Sequence, residues 1–210
     1  MSSNGRFVVF EGLDGCGKST ALFKCADWLF AKNKRYFNLL ITREPTFNSV
    51  GSVVRAKLAS DSNSLADPEG YAKLFSDDRA LHLSEDILPA LDKDYSVFCD
   101  RYYYSTIAYQ SAQGASIQKL IDLNSSFKVP DLVLFFKVSP ETAISRISSR
   151  ASFSDMNVKF EKLDFLSKTA VQFEQAFKLL NHNVVFIDAE QSIDSVFSQC
   201  KSALETILPF

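Results

Sequence analysis

Three of the chain's seven glycines, Gly12, Gly15 and Gly17, fall within six consecutive residues. That cluster constrains the fold more than any other feature. It reads Gly12-Leu13-Asp14-Gly15-Cys16-Gly17-Lys18-Ser19, the spacing G-x-x-x-x-G-K-S. A short apolar run, Phe7–Phe10, precedes it, and Lys18–Lys32, with Ala21, Leu22, Cys25, Leu29 and Phe30 near one face, follows with helical periodicity. Glycines at these places let successive backbone N–H groups curl around a phosphate without Cβ clashes. The helix that follows adds free N–H groups and its positive dipole end. Strand, loop and helix in that order make a phosphate-binding loop of a nucleoside triphosphate site, comprising Gly12, Leu13, Asp14, Gly15, Cys16, Gly17, Lys18, Ser19 and Thr20. Lys18 is placed along the β- and γ-phosphates, and Ser19 offers its hydroxyl to Mg²⁺.

The rest of the chain repeats the alternation. Phe37–Thr42, Tyr95–Cys99, Leu132–Val138 and Val184–Ile187 read as further strands. Between them lie helical stretches at Val50–Ala59, Pro68–Leu91, Pro140 to about Ser149, Lys162–Leu180 and Ser192–Leu208. Asp67-Pro68 is a capping residue followed by proline at the first helical position, and Pro89 predicts a break or kink. Apolar strands separated by helices imply βαβ units. The expected fold is α/β, a five-stranded parallel sheet flanked by helices, in one P-loop kinase domain over residues 1–210. The poorly patterned stretch after Ser148 is expected to be a mobile surface segment, and 146–161 a lid.

Composition narrows the function. The 210 residues carry a net charge of −2, which gives no basic face for a nucleic acid. Cys16, Cys25, Cys99 and Cys200 have neither metal-ligand nor disulfide spacing, and are read as free thiols in a reducing compartment. Tyr102–Gln118 is the longest uncharged run, but its serines, glutamines and tyrosines exclude a membrane span. A polar start with no signal-peptide pattern points to the cytoplasm.

Asp100 closes the third strand, where an open parallel sheet binds its ligands, and a carboxylate there suits the Mg²⁺ shell. A helix-capping role is the alternative on position alone. Four more segments then fall into order: Thr42-Arg43-Glu44-Pro45, Leu74-Phe75-Ser76-Asp77-Asp78-Arg79, Asp100-Arg101-Tyr102 with Ser105–Gln110, and Ile187-Asp188-Ala189. Together with the phosphate loop they resemble the thymidylate kinase family from Phe7 to about Ala189. The Arg-Glu-Pro and Asp-Arg-Tyr-x-x-Ser-x-x-Ala-Tyr-Gln segments are the more specific.

The resemblance implies transfer of a phosphoryl group from ATP to dTMP with Mg²⁺, by a homodimer. It implies that Asp14 bonds the sugar 3′-hydroxyl, that Arg43 and Arg55 belong to the acceptor-phosphate region, and that Arg101 touches the phosphate being extended. It assigns Phe75 to stacking on thymine, Arg79 to the carbonyl edge, Thr106 and Gln110 to the neighbourhood of the base, and Tyr109 to crowding the 2′ position. With Gly15 and Cys16 neutral inside the loop, the cations for the transferring phosphate are expected from the lid, Arg150 foremost and Arg146 four residues earlier. The residues alone leave other readings open. Phe75 is one of nineteen phenylalanines and on the residues alone suits a core better than a ligand, a balance that only the resemblance reverses. Arg43 suits an ion pair with Glu44 or Asp100, Asp77-Asp78 a solvated face, Arg146 and Arg150 a solvated helix face, and Tyr102 packing.

Two features depart from the family pattern. Thr46-Phe47-Asn48 stands where bacterial members have Gly-Gly-Thr, and the lid lacks an Asp-Arg dipeptide, Asp155 being followed by Met156-Asn157. The alternative acceptors are another nucleoside monophosphate or a deoxynucleoside, the latter requiring a general base, Glu11 or Asp14. A nucleotide switch reading guanine through Asn-Lys-x-Asp fails, because the only Asn-Lys continues Arg35-Tyr36.

Overall fold

The computed structural model describes residues 5–32, 34, 38–60, 67–149 and 156–208, the last span without the side chains of 156–161. Five strands form one sheet: β1 (Phe7–Gly12), β2 (Leu39–Arg43), β3 (Ser96–Asp100), β4 (Leu132–Lys137) and β5 (Val184–Asp188). Their order is β2-β3-β1-β4-β5, and every pairing is parallel. The strands lie within a residue or two of their sequence-predicted bounds; Phe37 falls outside the described residues.

Parallel strands need crossovers, and the crossovers here are helices. They are α1 (Lys18–Lys32), α2 (Ser49–Ser60), α3 (Pro68–His82), α4 (Leu88–Asp92), α5 (Tyr103–Ala112), α6 (Ile117–Asn124), α7 (Pro140–Ser148), α8 (Met156–Leu180) and α9 (Ile193–Glu205). Helix α1 packs with α9, and α5 packs against α8, α3 and α6. β1 is buried along its whole length, and β4 along all but Lys137. Around them Phe135, Phe173, Phe177 and Phe186 form an aromatic cluster with ring centroids 4.9–6.0 Å apart. All four cysteines are buried free thiols.

The sequence-predicted helix 68–91 is two helices joined by a π turn. The Asp67 carboxylate caps α3 by accepting from Gly70 N at 2.9 Å. Pro89 lacks the N–H that an unbroken helix needs, and the turn Leu83–Ile87 widens so that Leu88 N donates to Leu83 O. Helices α5 and α6 are additions to the sequence reading. Helix α8 starts six residues before the predicted Lys162.

From β1 the chain crosses to β2 and returns to β3 on one side of β1, then passes from β3 to β4 on the other side. That reversal opens a crevice beyond the carboxyl ends of the strands. The register pairs Arg43 with Asp100 and Asp100 with Phe10, so the ends of β2, β3 and β1 converge there. Among the described residues no helix is long and apolar enough to cross a membrane.

Candidate active site

The loop between β1 and α1 depends on backbone angles that side chains resist. Gly15 sits at φ +84°, and a Cβ there would lie 2.4 Å from the carbonyl oxygen of Ala143. Only glycine satisfies both constraints. Leu13 and Cys16 bury their side chains in the core, so these two positions serve the loop through their backbone. Lys18 arches back over the loop, its ammonium donating to Leu13 O at 3.4 Å. Ser19 donates its hydroxyl to Asp100 Oδ2.

Glu11, wholly buried in β1, organises the opposite wall. Its carboxylate accepts from Tyr102 N at 2.8 Å, Ser105 N at 3.1 Å and Ser105 Oγ at 2.6 Å. It thereby meets the Tyr102 N–H at the start of α5 and shares the Ser105 N–H with Tyr102 O. Burial raises the Glu11 pKa, opposed chiefly by Arg101. Arg101 joins β3 to α5 at φ +74°, an uncommon angle for a side chain-bearing residue. Its guanidinium donates to Ser105 Oγ at 2.7 Å and to Asp14 Oδ1 at 2.7 Å, and lies 5.2 Å from the Tyr109 ring centroid. Burial works against that charge, but Tyr109, Asp14 and Glu11 outweigh it and the Arg101 pKa is raised. The same guanidinium lowers the Asp14 carboxyl below its usual value, while burial pushes Tyr109 up.

Two cavities meet at this cluster. One, of about 140 Å³, is lined by Asp14, Gly15, Gly17, Lys18, Ser19, Thr20, Arg43, Asp100 and Arg101. The other, of about 300 Å³, is lined by Asp14, Glu44, Pro45, Leu58, Phe75, Arg79, Arg101, Tyr102, Ser105, Thr106, Tyr109, Gln110, Gln113 and Phe165. Asp14 and Arg101 belong to both. A third hollow, of about 170 Å³, brings Arg146 beside Gly15, Cys16, Gly17 and Thr20.

Most sequence-predicted site residues therefore meet in space. Phe75 is half-buried, lines the second cavity and stays out of the hydrophobic core cluster. Gln110 is buried in the cavity wall with Oε1 unpartnered. Arg43 is exposed, makes no ion pair among the described residues and lines the smaller cavity. Glu44 pairs instead with Arg79 and His82.

Arg79 differs most from a free ligand-binding arginine. It is 1% exposed and donates from Nε and Nη2 to Glu44 Oε2 at 2.9 and 2.7 Å, from Nη2 to Thr106 Oγ1 at 3.0 Å and from Nη1 to Asn124 Oδ1 at 2.6 Å. Arg55 lies outside both cavities. Its Nε donates to Thr46 O at 3.0 Å, its Nη2 to Pro45 O, and its guanidinium stacks 3.9 Å from the Phe47 ring centroid. Burial and then the charge of nearby Arg43 lower its pKa. The expected solvated pair Asp77-Asp78 splits. Asp77 pairs with Lys73 at the surface, whereas Asp78 is fully buried and accepts from Thr46 N at 2.8 Å and from Thr46 Oγ1. Arg150 lies outside the described residues. Ser105, Phe165 and Asn124 are additions. Ser105 lay within a recognised segment, but nothing local distinguishes Phe165 or Asn124 from ordinary helix residues.

Among the described residues no group of three or more His, Cys, Asp or Glu side chains is placed to hold a metal ion. What the smaller cavity offers is a hydroxyl and a carboxylate. Asp100 Oδ1 is buried and has no hydrogen-bond partner, and Oδ2 holds the Ser19 hydroxyl. An orphaned carboxylate oxygen beside a hydroxyl suits a hard, oxygen-seeking cation that keeps several waters.

Comparison with known proteins agrees with this geometry. The sequence model of the family described as thymidylate kinase matches residues 10–200. A probable thymidylate kinase of Staphylothermus marinus is 35% identical over 195 residues, 93% of this chain and 92% of that protein. A thymidylate kinase of Caldicellulosiruptor saccharolyticus is 35% identical over 208 residues, 97% of this chain and 98% of its own length. The crystal structure of thymidylate kinase from Ehrlichia chaffeensis superposes with a TM-score of 0.76 at 25% identity, covering 95% of this chain and 98% of that one.

Proposed function

The chain belongs to the thymidylate kinase family, and from that premise we propose that it transfers the γ-phosphoryl group of ATP to dTMP, giving dTDP and ADP. The observation that carries the reading is the junction of the two cavities at Asp14 and Arg101. A triphosphate held by the glycine loop and a monophosphate in the larger cavity would present their phosphates to each other there.

The division of roles follows from charge. The loop N–H groups, the start of α1 and Lys18 hold the donor phosphates. Arg101 reaches from the junction toward the phosphate being extended, and Arg43, without an ion pair among the described residues, offers a second cation. Ser19 and Asp100 would hold Mg²⁺, which when bound neutralises charge on the phosphate oxygens and orients them. In the larger cavity Phe75 gives a stacking face, and Arg79 and Gln110 give a donor and an acceptor for the edge of a neutral base. Asp14 and Tyr109 flank the sugar. The resemblance adds segment 146–161 as a lid bringing Arg146 and Arg150 to the transferring group, and a homodimer; the four buried thiols suit a reducing compartment such as the cytoplasm.

An already ionised acceptor phosphate needs no general base, and the site lacks a good one. Glu11 spends its carboxylate on three hydrogen bonds, and Asp14 is ion-paired with a lowered pKa. This disfavours a neutral sugar hydroxyl as acceptor. The test measures ADP formation with dTMP and with thymidine, beside thermal shifts with dTMP, dUMP, dGMP and thymidine. Turnover of dTMP, and a melting rise equivalent to about 2.7 kcal/mol at a hundredfold excess over Kd, are expected. Activity on thymidine but not on dTMP would overturn the reading.

A further inference from the structure

We propose that Asn124, which does not line the acceptor cavity, is a positioning residue for the acceptor base: it locks the plane of Arg79 and leaves that guanidinium one hydrogen with which to bind a ring carbonyl. The inference rests on the assignment of that cavity to dTMP.

A guanidinium carries five N–H hydrogens in one plane. Arg79 commits Nε–H and one Nη2 hydrogen to Glu44 Oε2, the other Nη2 hydrogen to Thr106 Oγ1 and one Nη1 hydrogen to Asn124 Oδ1. One Nη1 hydrogen remains, on a residue that lines the cavity. Both bonds to Glu44 end on the same oxygen, because Oε1 faces His82 Nδ1 at 3.2 Å. A fork resting on one oxygen can pivot about it. Thr106 stops that rotation on one side and Asn124 on the other.

The Asn124 amide is itself fixed. Its Nδ2 donates to Leu120 O at 2.7 Å, which turns Oδ1 toward Arg79, and the residue is 3% exposed. Helix α6 contributes no lining residue to the cavity, and Asn124 is its side chain that bonds to Arg79. Tyr102, Tyr103 and Phe127 lie 5.2–6.0 Å from the guanidinium by their ring centroids, so apolar rings rather than polar groups flank it and the Asn124 oxygen has no protein substitute among them.

The experiment is steady-state kinetics on the full chain. Asn124→Ala is expected to raise KM for dTMP about tenfold with KM for ATP unchanged, the size of one charge-assisted hydrogen bond. Asn124→Asp keeps an acceptor oxygen for Arg79 but loses the donor to Leu120 O, and is expected to restore part of the loss. In an Arg79→Lys background, which keeps a cation on Glu44 but has no fork to orient, adding Asn124→Ala is expected to change KM for dTMP no further. If the alanine variant loses its cooperative melting transition, Asn124→Ser carries the same readout. An unchanged KM for dTMP, a parallel rise in both KM values, or an equal effect in the Arg79→Lys background would each overturn the role of Asn124. Wild-type protein that fails to turn over dTMP would overturn the acceptor assignment and this inference with it.

Discussion

Removing the Glu44 carboxylate tests whether the buried Arg79 charge governs stability. In Glu44→Ala the guanidinium, 1% exposed, keeps Thr106 and Asn124 but loses its counter-charge and two hydrogen bonds, while His82 Nδ1 loses its partner. At 3% and 1% exposure Glu44 and Arg79 are poorly reached by the water of the cavity they line, so solvation offsets only part of the loss. Breaking a buried ion pair by removing one member costs about 3–5 kcal/mol. For a domain of this size, each kcal/mol moves the melting temperature by about 2–4 °C, so a fall of about 6–20 °C is expected. Calorimetry supplies that shift, and urea titration with an unchanged m-value separates lost stability from a changed unfolded state. The cause is isolated by a second variant, Glu44→Leu with Arg79→Met, which removes both charges and should be more stable than Glu44→Ala. A loss below about 1 kcal/mol in Glu44→Ala, or a double variant no better than the single, would refute the argument.

Other consequences are simpler to check. Lys18→Met should abolish phosphoryl transfer while dTMP still raises the melting temperature, as followed by ADP release and thermal shift. Phe75→Ala should raise KM for dTMP about tenfold, consistent with about 1–3 kcal/mol for base stacking, with KM for ATP unchanged. Gly15→Ala forces a Cβ to within 2.4 Å of Ala143 O at φ +84°, so ATP affinity measured by calorimetry should fall by more than tenfold. Asp14 should titrate below the ordinary aspartate range by carboxyl NMR, and return toward it in Arg101→Met. Because its folded pKa is depressed, the stability it contributes is present above the unfolded value near 3.8 and is lost as pH falls through the folded one.

What was legible in the sequence was local. The glycine spacing, the cap at Asp67 and the strand runs each depend on residues a few positions apart. The structure bears them out. Helix α5 escaped notice because it is buried on nearly every side, at Tyr103, Tyr104, Thr106, Ile107, Ala108 and Gln110. A helix without a wet face has no amphipathic period to read. The partners of Arg79 lie 27, 35 and 45 residues away, so no spacing rule reports that its charge is already matched. Asp78 misled for the same reason. Its acidic neighbour Asp77 is solvated, while Asp78 itself turns inward to the Thr46 backbone 32 residues distant.

These long-range pairings give the two joined cavities different electrostatic characters. At the base end, the charge of Arg79 is balanced by Glu44 and its plane held by neutral partners. Such a group can meet a neutral carbonyl, but adds little attraction for an anion. At the phosphate end, Arg43 carries no counter-ion among the described residues, and its charge is felt at Arg55. Lys18 bonds there to a backbone carbonyl. Coulomb attraction for an anion is therefore concentrated in the smaller cavity, where a monophosphate and the end of a triphosphate would compete with each other's charge. A nucleoside without its phosphate would find hydrogen bonds in the larger cavity and no use for those cations. The arrangement thus favours a nucleotide over a nucleoside through where arginine is left unpaired, which neither the number of arginines nor the net charge of −2 discloses.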